Sequence, residues 1–325
     1  MRRIKWGVLG TAGIARSQTI PGMQEAENCA LYAVAGRSIE KAEAFKAEFG
    51  FEKAYGSYEE LLADPQVEAV YIPLPNELHL EWTIRALEAK KHVLCEKPLA
   101  PNAQQAQQMI DAAKANGVLL MEAFAYLHSP YVAAVRQEIE QGNIGDVVYL
   151  ESAFITSTYD VSNIRMRRET FGGAMYDLGC YNTSFALWMM GKEPKEVQAT
   201  ALYSPLGVDD YSSALLTFDG GARAALECGM VLPKGADARI DRVRIYGTKG
   251  YITSATQFNQ AGEVSYTVCA NGETVVKTLH ALQNYRLEVE QLGRCILSGE
   301  TPHVSHEFTL MNARTLDRIL EKMGY

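Results

Sequence analysis

Three groups of residues in this sequence have the types and spacing to do chemistry. The first is Gly10-Thr11-Ala12-Gly13-Ile14-Ala15, which follows the apolar run Ile4–Leu9 and precedes a predicted helix. Strand, glycine turn and helix in that order make a dinucleotide-binding turn: the first glycine turns the chain tightly, and the helix N-terminus faces the pyrophosphate. Ala15 fills the third small position, and Ala12 departs from glycine at the second. The second group, Ala35-Gly36-Arg37-Ser38, ends the next predicted strand. An NAD site places Asp or Glu there for the ribose hydroxyls, and an NADP site places Arg there for the 2′-phosphate. This chain has no acid at that point. Arg37 and Ser38 both hydrogen-bond phosphate, and Lys41 lies one helical turn on. A bidentate Arg–phosphate contact is a strong anchor, so the pattern favours NADP over NAD. The third group holds titratable side chains. Lys97 stands where a buried parallel strand ends, at the edge where α/β sheets bind ligands. Asp177 and Tyr181 are four residues apart on a predicted helix and share one face.

The elements that must carry these groups are legible from periodicity. Predicted strands at Ile4–Leu9, Ala30–Ala35, Val67–Ile72, His92–Cys95 and Val118–Met121 alternate with helices. Ser38 and Gly50 bracket the helix Ile39–Phe49 as N-cap and C′ residue, and Ser57 opens a capping box. Asn102 caps a helix that ends at Gly117. Strand and helix in alternation predict a doubly wound parallel sheet. Beyond about residue 123 the rhythm changes to long half-buried strands. In Ala222–Met230 the even positions are Ala222, Ala224, Leu226, Cys228 and Met230, all apolar. Gly247-Thr248-Lys249-Gly250 reads as a hairpin turn. One helix spans Ala174–Met190, and two more, about Leu282–Leu297 and Glu307–Lys322, close the chain. The fold class expected is α/β: a nucleotide-binding domain over 1–122 and an α/β domain with a large, mainly antiparallel open sheet over 123–325.

Composition excludes several partners. The 325 residues carry 31 Lys and Arg against 39 Asp and Glu, a net charge of −8. Nucleic-acid binding, which needs clustered cations, is not expected. No apolar run reaches the ~20 residues that cross a bilayer. The start, Met1-Arg2-Arg3-Ile4, has neither the apolar length nor the cleavage site of a signal peptide. The six cysteines are scattered, with no C-x-x-C and no Cys/His cluster. No metal site is expected, and a reducing, cytoplasmic setting is.

Three ordered motifs carry a family resemblance. His92-Val93-Leu94-Cys95-Glu96-Lys97-Pro98-Leu99 resembles the signature segment of the glucose–fructose oxidoreductase / inositol dehydrogenase / rhizopine-catabolism (Gfo/Idh/MocA) family. Ile72-Pro73-Leu74-Pro75-Asn76-Glu77-Leu78-His79 is similar to its cofactor loop. Gly172-Gly173-Ala174-Met175-Tyr176-Asp177-Leu178-Gly179-Cys180-Tyr181 is similar to its substrate-domain motif. The resemblance runs over essentially the whole chain. It implies a Rossmann domain, a second domain whose open sheet forms a homodimer or higher homo-oligomer, and NAD(P)-dependent redox chemistry on a small sugar-like substrate. It implies cofactor contacts from Pro73, Asn76, His79, Glu96 and Lys97, beside Gly10, Thr11, Ala12, Ile14, Arg37 and Ser38. It puts the Lys97 ammonium near the reacting oxygen, where it orients the hydroxyl and stabilises negative charge. Hydride transfer from an alcohol needs a base for the hydroxyl proton. The branch resembling sugar and dihydrodiol dehydrogenases has Tyr where Tyr181 stands, and the inositol branch has His. Tyr181 is therefore the expected general acid/base, with Asp177 orienting substrate or Lys97. Tyr159 and Arg165 precede the Gly172-Gly173 turn, in a stretch that can reach the substrate pocket in relatives. After Tyr126 many relatives carry Arg, and this chain has Leu127. The activity expected is that of a D-xylose 1-dehydrogenase-like enzyme. The alternatives are a trans-1,2-dihydrodiol dehydrogenase and a non-catalytic NADP-sensing regulator.

Overall fold

The apolar run that opens the chain is strand β1 (Ile4–Leu9), with all but one residue buried. This structure, a computed structural model, describes residues 2–234 and 238–325. Five more strands join β1: β2 (Cys29–Ala35), β3 (Lys53–Tyr55), β4 (Ala69–Ile72), β5 (His92–Glu96) and β6 (Leu120–Ala123). All pairings are parallel, in the order β3-β2-β1-β4-β5-β6. A strand covered on both faces reads as a continuous apolar run, which is why β1 and β4 show no alternation. Crossover helices are α1 (Ile20–Glu25), α2 (Ile39–Phe49), α3 (Tyr58–Ala63), α4 (His79–Glu88) and α5 (Ala103–Asn116). The expected caps form: Ser38 accepts from the Lys41 amide, Ser57 accepts from the Glu60 amide, and Gly50 closes α2 at φ +79°. Strand order reverses between β1 and β4, so the ligand crevice lies at the carboxyl ends of these strands. Gly10, Pro73 and Lys97 follow directly on β1, β4 and β5, and Arg37 stands two residues past β2.

The second sheet has eight strands: β7 (Val147–Ser157), β8 (Glu196–Tyr203), β9 (Asp209–Thr217), β10 (Arg223–Leu232), β11 (Arg239–Gly247), β12 (Gly250–Ser254), β13 (Gly262–Ala270) and β14 (Glu273–Ala281). Their order is β14-β13-β12-β11-β7-β10-β9-β8. All neighbours are antiparallel except β7 and β10, which run parallel. Ala224, Leu226, Cys228 and Met230 are buried on one face of β10, as the alternation requires. Helix α6 (Pro130–Glu140) precedes β7, and α7 (Cys180–Met190) follows it. Helix α7 is buried almost all round, so it has no polar face. Asn182 pins it: its amide oxygen accepts from Ser152 Oγ on β7 at 2.8 Å, and its Nδ2 donates to the Glu227 carbonyl on β10 at 2.7 Å.

The contacts divide the chain differently from a single cut at residue 122. One unit comprises the chain up to Ala100, Gln104–His128 and Leu282–Thr309. The other comprises Pro101–Ala103, Ser129–Ala281 and Leu310–Tyr325. Helix α8 (Asn284–Ser298) therefore belongs with the parallel sheet, and α9 (His306–Met323) is shared between the units. The reason is close packing of α8 on α1. A Cβ at Gly22 would meet the Arg286 amide nitrogen at 2.7 Å. Asn28 and Gln283 add hydrogen bonds to the Glu290 and Gln18 carbonyls. Among the described residues no helix is long and apolar enough to cross a membrane, and no His, Cys, Asp and Glu cluster could hold a metal. Among the described residues no disulfide joins the cysteines.

Candidate active site

In the first unit the candidate residues lie along one sheet edge. Gly10 donates its N–H to the Ala35 carbonyl at 2.8 Å and has φ +114°, a conformation strained for any side chain. A Cβ there would also press on Leu74 at 3.1 Å. Thr11 and Ala12 are half-buried and Gly13 is exposed. A Cβ on Gly13 would meet nothing within 4 Å, so the approach to the helix N-terminus is open. The first amides of a helix have no intrahelical acceptor and attract anions. Ile14 is half-buried behind them, and a widened turn, Ala15–Thr19, follows. A backbone cradle open to solvent at this edge fits a pyrophosphate.

Arg37 is exposed just past β2 and acts electrostatically on the Tyr58 phenol. Ser38 is already engaged: its hydroxyl caps α2 and donates to Glu40 Oε2 at 2.6 Å. Pro73 is buried, and half-buried Asn76 opens the short turn Asn76–Leu78. His79 is fully buried, with Nδ1 at 3.0 Å from the Pro98 carbonyl and Nε2 at 2.8 Å from the Leu74 carbonyl. Both ring nitrogens thus face backbone, and none is left for a cofactor. His79 ties together the loops that carry Leu74 and Pro98. Burial pushes its pKa down, and the Lys97 charge adds to this.

Lys97 is half-buried at the end of β5. Glu96, beside it, accepts from Tyr71 Oη at 2.6 Å, and Tyr71 accepts from Thr19 Oγ1 at 2.9 Å. Two further carboxyls flank this end of the sheet. Glu122, on β6, accepts the Leu99 amide at 2.8 Å, and burial pushes its pKa up to about 7 against the Lys97 charge. Glu288, on α8, is fully buried; its two oxygens have no hydrogen-bond partner among the described residues. Burial, and then the Glu96 charge, hold it well above the ordinary carboxylate range. The sequence reading missed both. A Glu inside the otherwise apolar strand Leu120–Ala123 was the signal for the first.

In the second unit Asp177 lies in a widened turn, Met175–Gly179, that leads into α7. Arg165 Nε donates to Asp177 Oδ2 at 2.6 Å, and its guanidinium lies 5.0 Å from the centre of the Tyr159 ring. The Asp177 charge, and then Tyr159 and Tyr181, hold Arg165 above the ordinary guanidinium range. Arg165 and Tyr159 were expected to contact substrate. Arg165 is ion-paired with Asp177, which offsets its charge. Tyr181 is buried against Phe154 and Phe258, with ring centres at 5.5 and 5.3 Å. Asn259 Nδ2 lies 3.5 Å from its hydroxyl. Sequence reasoning missed this aromatic surround because Phe154 and Phe258 are distant in the chain.

Residues 4–124 match the model of an oxidoreductase family with an NAD-binding Rossmann fold, and residues 132–253 match the GFO/IDH/MocA C-terminal domain. Fold and sheet edge thus define an NAD(P)-dependent oxidoreductase. The chain is 37% identical over 321 residues to a D-xylose 1-dehydrogenase (NADP(+)) of Haloferax volcanii, covering 97% of this chain and 96% of that one. It is 32% identical to a trans-1,2-dihydrobenzene-1,2-diol dehydrogenase of Xenopus laevis, covering 98% of each. A solved 3-ketoreductase of Actinomadura kijaniata, with NADP and TDP-benzene, superposes with TM-score 0.92 at 30% identity, covering 99% of this chain and 98% of that one. The chain belongs to the Gfo/Idh/MocA oxidoreductase family.

Proposed function

We propose that this protein is an NADP-preferring dehydrogenase that oxidises a ring hydroxyl of a pyranose, as a D-xylose 1-dehydrogenase does, or reduces the corresponding carbonyl. The observation that carries the reading is the presence of Lys97, Asp177 and Tyr181, with Tyr181 set in an aromatic surround and Asp177 keyed by Arg165. In the 3-ketoreductase, solved variants replace a Tyr by Phe and a Lys by Ala, and those two residues have the same sequence separation as Lys97 and Tyr181.

Bound NADP supplies the hydride acceptor at its nicotinamide ring. The amides after Gly10 hold the pyrophosphate, and Arg37 holds the 2′-phosphate. Tyr181 takes the hydroxyl proton. A free phenol loses its proton only near pH 10, so a base role needs cationic support. Lys97 supplies that charge and orients the hydroxyl oxygen. Asp177 accepts a substrate hydroxyl. With Arg165 neutralised by Asp177, recognition favours a neutral polyol over an anion. The scattered spacing of the six cysteines suits a reducing, cytoplasmic setting.

The Phe154 and Phe258 rings favour a second reading, because they would also pack a carbocyclic diol such as a trans-dihydrodiol. Steady-state rates on D-xylose, D-glucose and a trans-cyclohexadiene diol, with NADP and with NAD, separate the two. Tyr181→Phe and Lys97→Ala should each cut kcat by about 10²–10⁴-fold on the preferred substrate. Wild-type turnover in either variant would overturn the mechanism. Cofactor binding without turnover on any of the three would favour a regulator.

A further inference from the structure

The widened turn that carries Asp177 is held from a distant strand. Asp209, the first residue of β9, is fully buried. Its Oδ2 accepts from the Met175 amide at 2.8 Å and from Ser212 Oγ at 2.6 Å. Its Oδ1 accepts from Tyr325 Oη at 2.6 Å, and its own amide donates back to that oxygen at 2.9 Å. Met175 opens the turn, so its N–H is among the amides a helix start leaves without an acceptor. A carboxylate there also faces the positive end of the helix dipole.

The approach is closer than a side chain on the intervening residue would allow. Gly173 has φ +112°, and a Cβ on it would lie 2.1 Å from Asp209 Oδ1 and 2.7 Å from Tyr325 Oη. Gly173 also donates its N–H to the Arg165 carbonyl at 2.8 Å. Arg165 is the residue whose side chain binds Asp177. The same short segment therefore ties together the Asp209 carboxylate, the Arg165 backbone and the Asp177 turn. On the other side, Tyr325 packs against Tyr176 and Tyr203 with ring centres at 6.0 and 5.7 Å. Tyr203 Oη donates to the Met323 carbonyl at 2.6 Å, which holds the segment bearing Tyr325 in place.

We propose that Asp209, with the Tyr325 hydroxyl, is a positioning residue for the reaction: it anchors the Met175–Gly179 turn so that Asp177 keeps its reactive position. Nothing in the proposal needs Asp209 to touch substrate or cofactor. It rests on the reading of Asp177 as a substrate-orienting group. A shift of about 1 Å in such a group costs up to about 10²-fold in rate.

The test is a double-mutant cycle on kcat/KM with Asp209→Asn, Asp177→Asn and the pair, alongside the KM for NADP. Asp209→Asn should lower kcat by about 10- to 100-fold and leave the KM for NADP unchanged. Combined with Asp177→Asn, it should add no further loss, because the group it positions is already gone. Tyr325→Phe removes one of the three donors to the carboxylate and keeps the ring. It should give a smaller loss with the same non-additivity, and it serves if Asp209→Asn folds poorly. Losses that multiply in the double variant, or activity per folded molecule equal to wild type in both single variants, would overturn the positioning role alone. Full activity in Asp177→Asn would overturn the reading of the site and this inference with it.

Discussion

Glu122 makes the pH dependence of the first unit testable. Its side chain is fully buried on β6, and one oxygen accepts the Leu99 amide. Burial raises its pKa from 4.5 to about 7, which at about 1.4 kcal/mol per unit corresponds to about 3 kcal/mol of linkage. The folded state holds this proton more tightly than the unfolded chain. The contribution is therefore fully present below about 4.5 and is lost as pH rises through about 7. Glu122→Gln keeps the shape and the acceptor for Leu99 while fixing the neutral form. The stability of this variant minus that of wild type should then grow by about 2–3 kcal/mol between about pH 5 and about pH 9. Urea unfolding by tryptophan fluorescence in a Trp188→Phe background reads the first unit, which holds Trp6 and Trp82. A difference that stays constant across that range would refute the reasoning, because the carboxyl would then titrate alike in the folded and unfolded chain.

Two further outcomes follow from the surface. If Arg37 holds the 2′-phosphate, Arg37→Ala should raise the KM for NADP by about 10- to 100-fold, the weight of a charge-assisted contact, and leave the KM for NAD nearly unchanged; an equal rise for both cofactors in steady-state assays would remove Arg37 from that role. We further propose that the outer face of the eight-stranded sheet pairs with a second copy, since Tyr149, Tyr246 and Tyr251 form a ladder there beside the Arg242–Glu227 pair. Arg242→Glu and Tyr246→Glu together should convert a dimer to a monomer by sedimentation velocity, and an unchanged sedimentation coefficient would count against this face.

Some features were decided within a few residues of each other. The caps at Ser38, Gly50 and Ser57 depend on local dihedrals and one hydroxyl each, and they stand where the sequence placed them. The same holds for the glycine turn after β1 and for the hairpin at Gly247–Gly250, because turn chemistry is local. The alternation in β10 and the continuous apolar run of β1 reported which faces are covered. Sequence alone thus determined the element types and the class of nucleotide edge.

Tertiary structure decided which groups meet. A carboxyl's neighbours depend on burial and on strands far apart in the chain. No local pattern showed that Arg165 would be neutralised by Asp177, or that both nitrogens of His79 would face carbonyls. Helix α8 read as part of the second domain by position, yet the small Gly22 surface of α1 admits it to the first unit and brings the buried Glu288 near Glu96. No local pattern singled out Asp209 or Tyr325. Their meeting at Met175 exists only once β9 and α9 are packed. Local propensity selects helix, strand and turn from near neighbours, whereas desolvation and hydrogen-bond satisfaction are fixed by the whole fold.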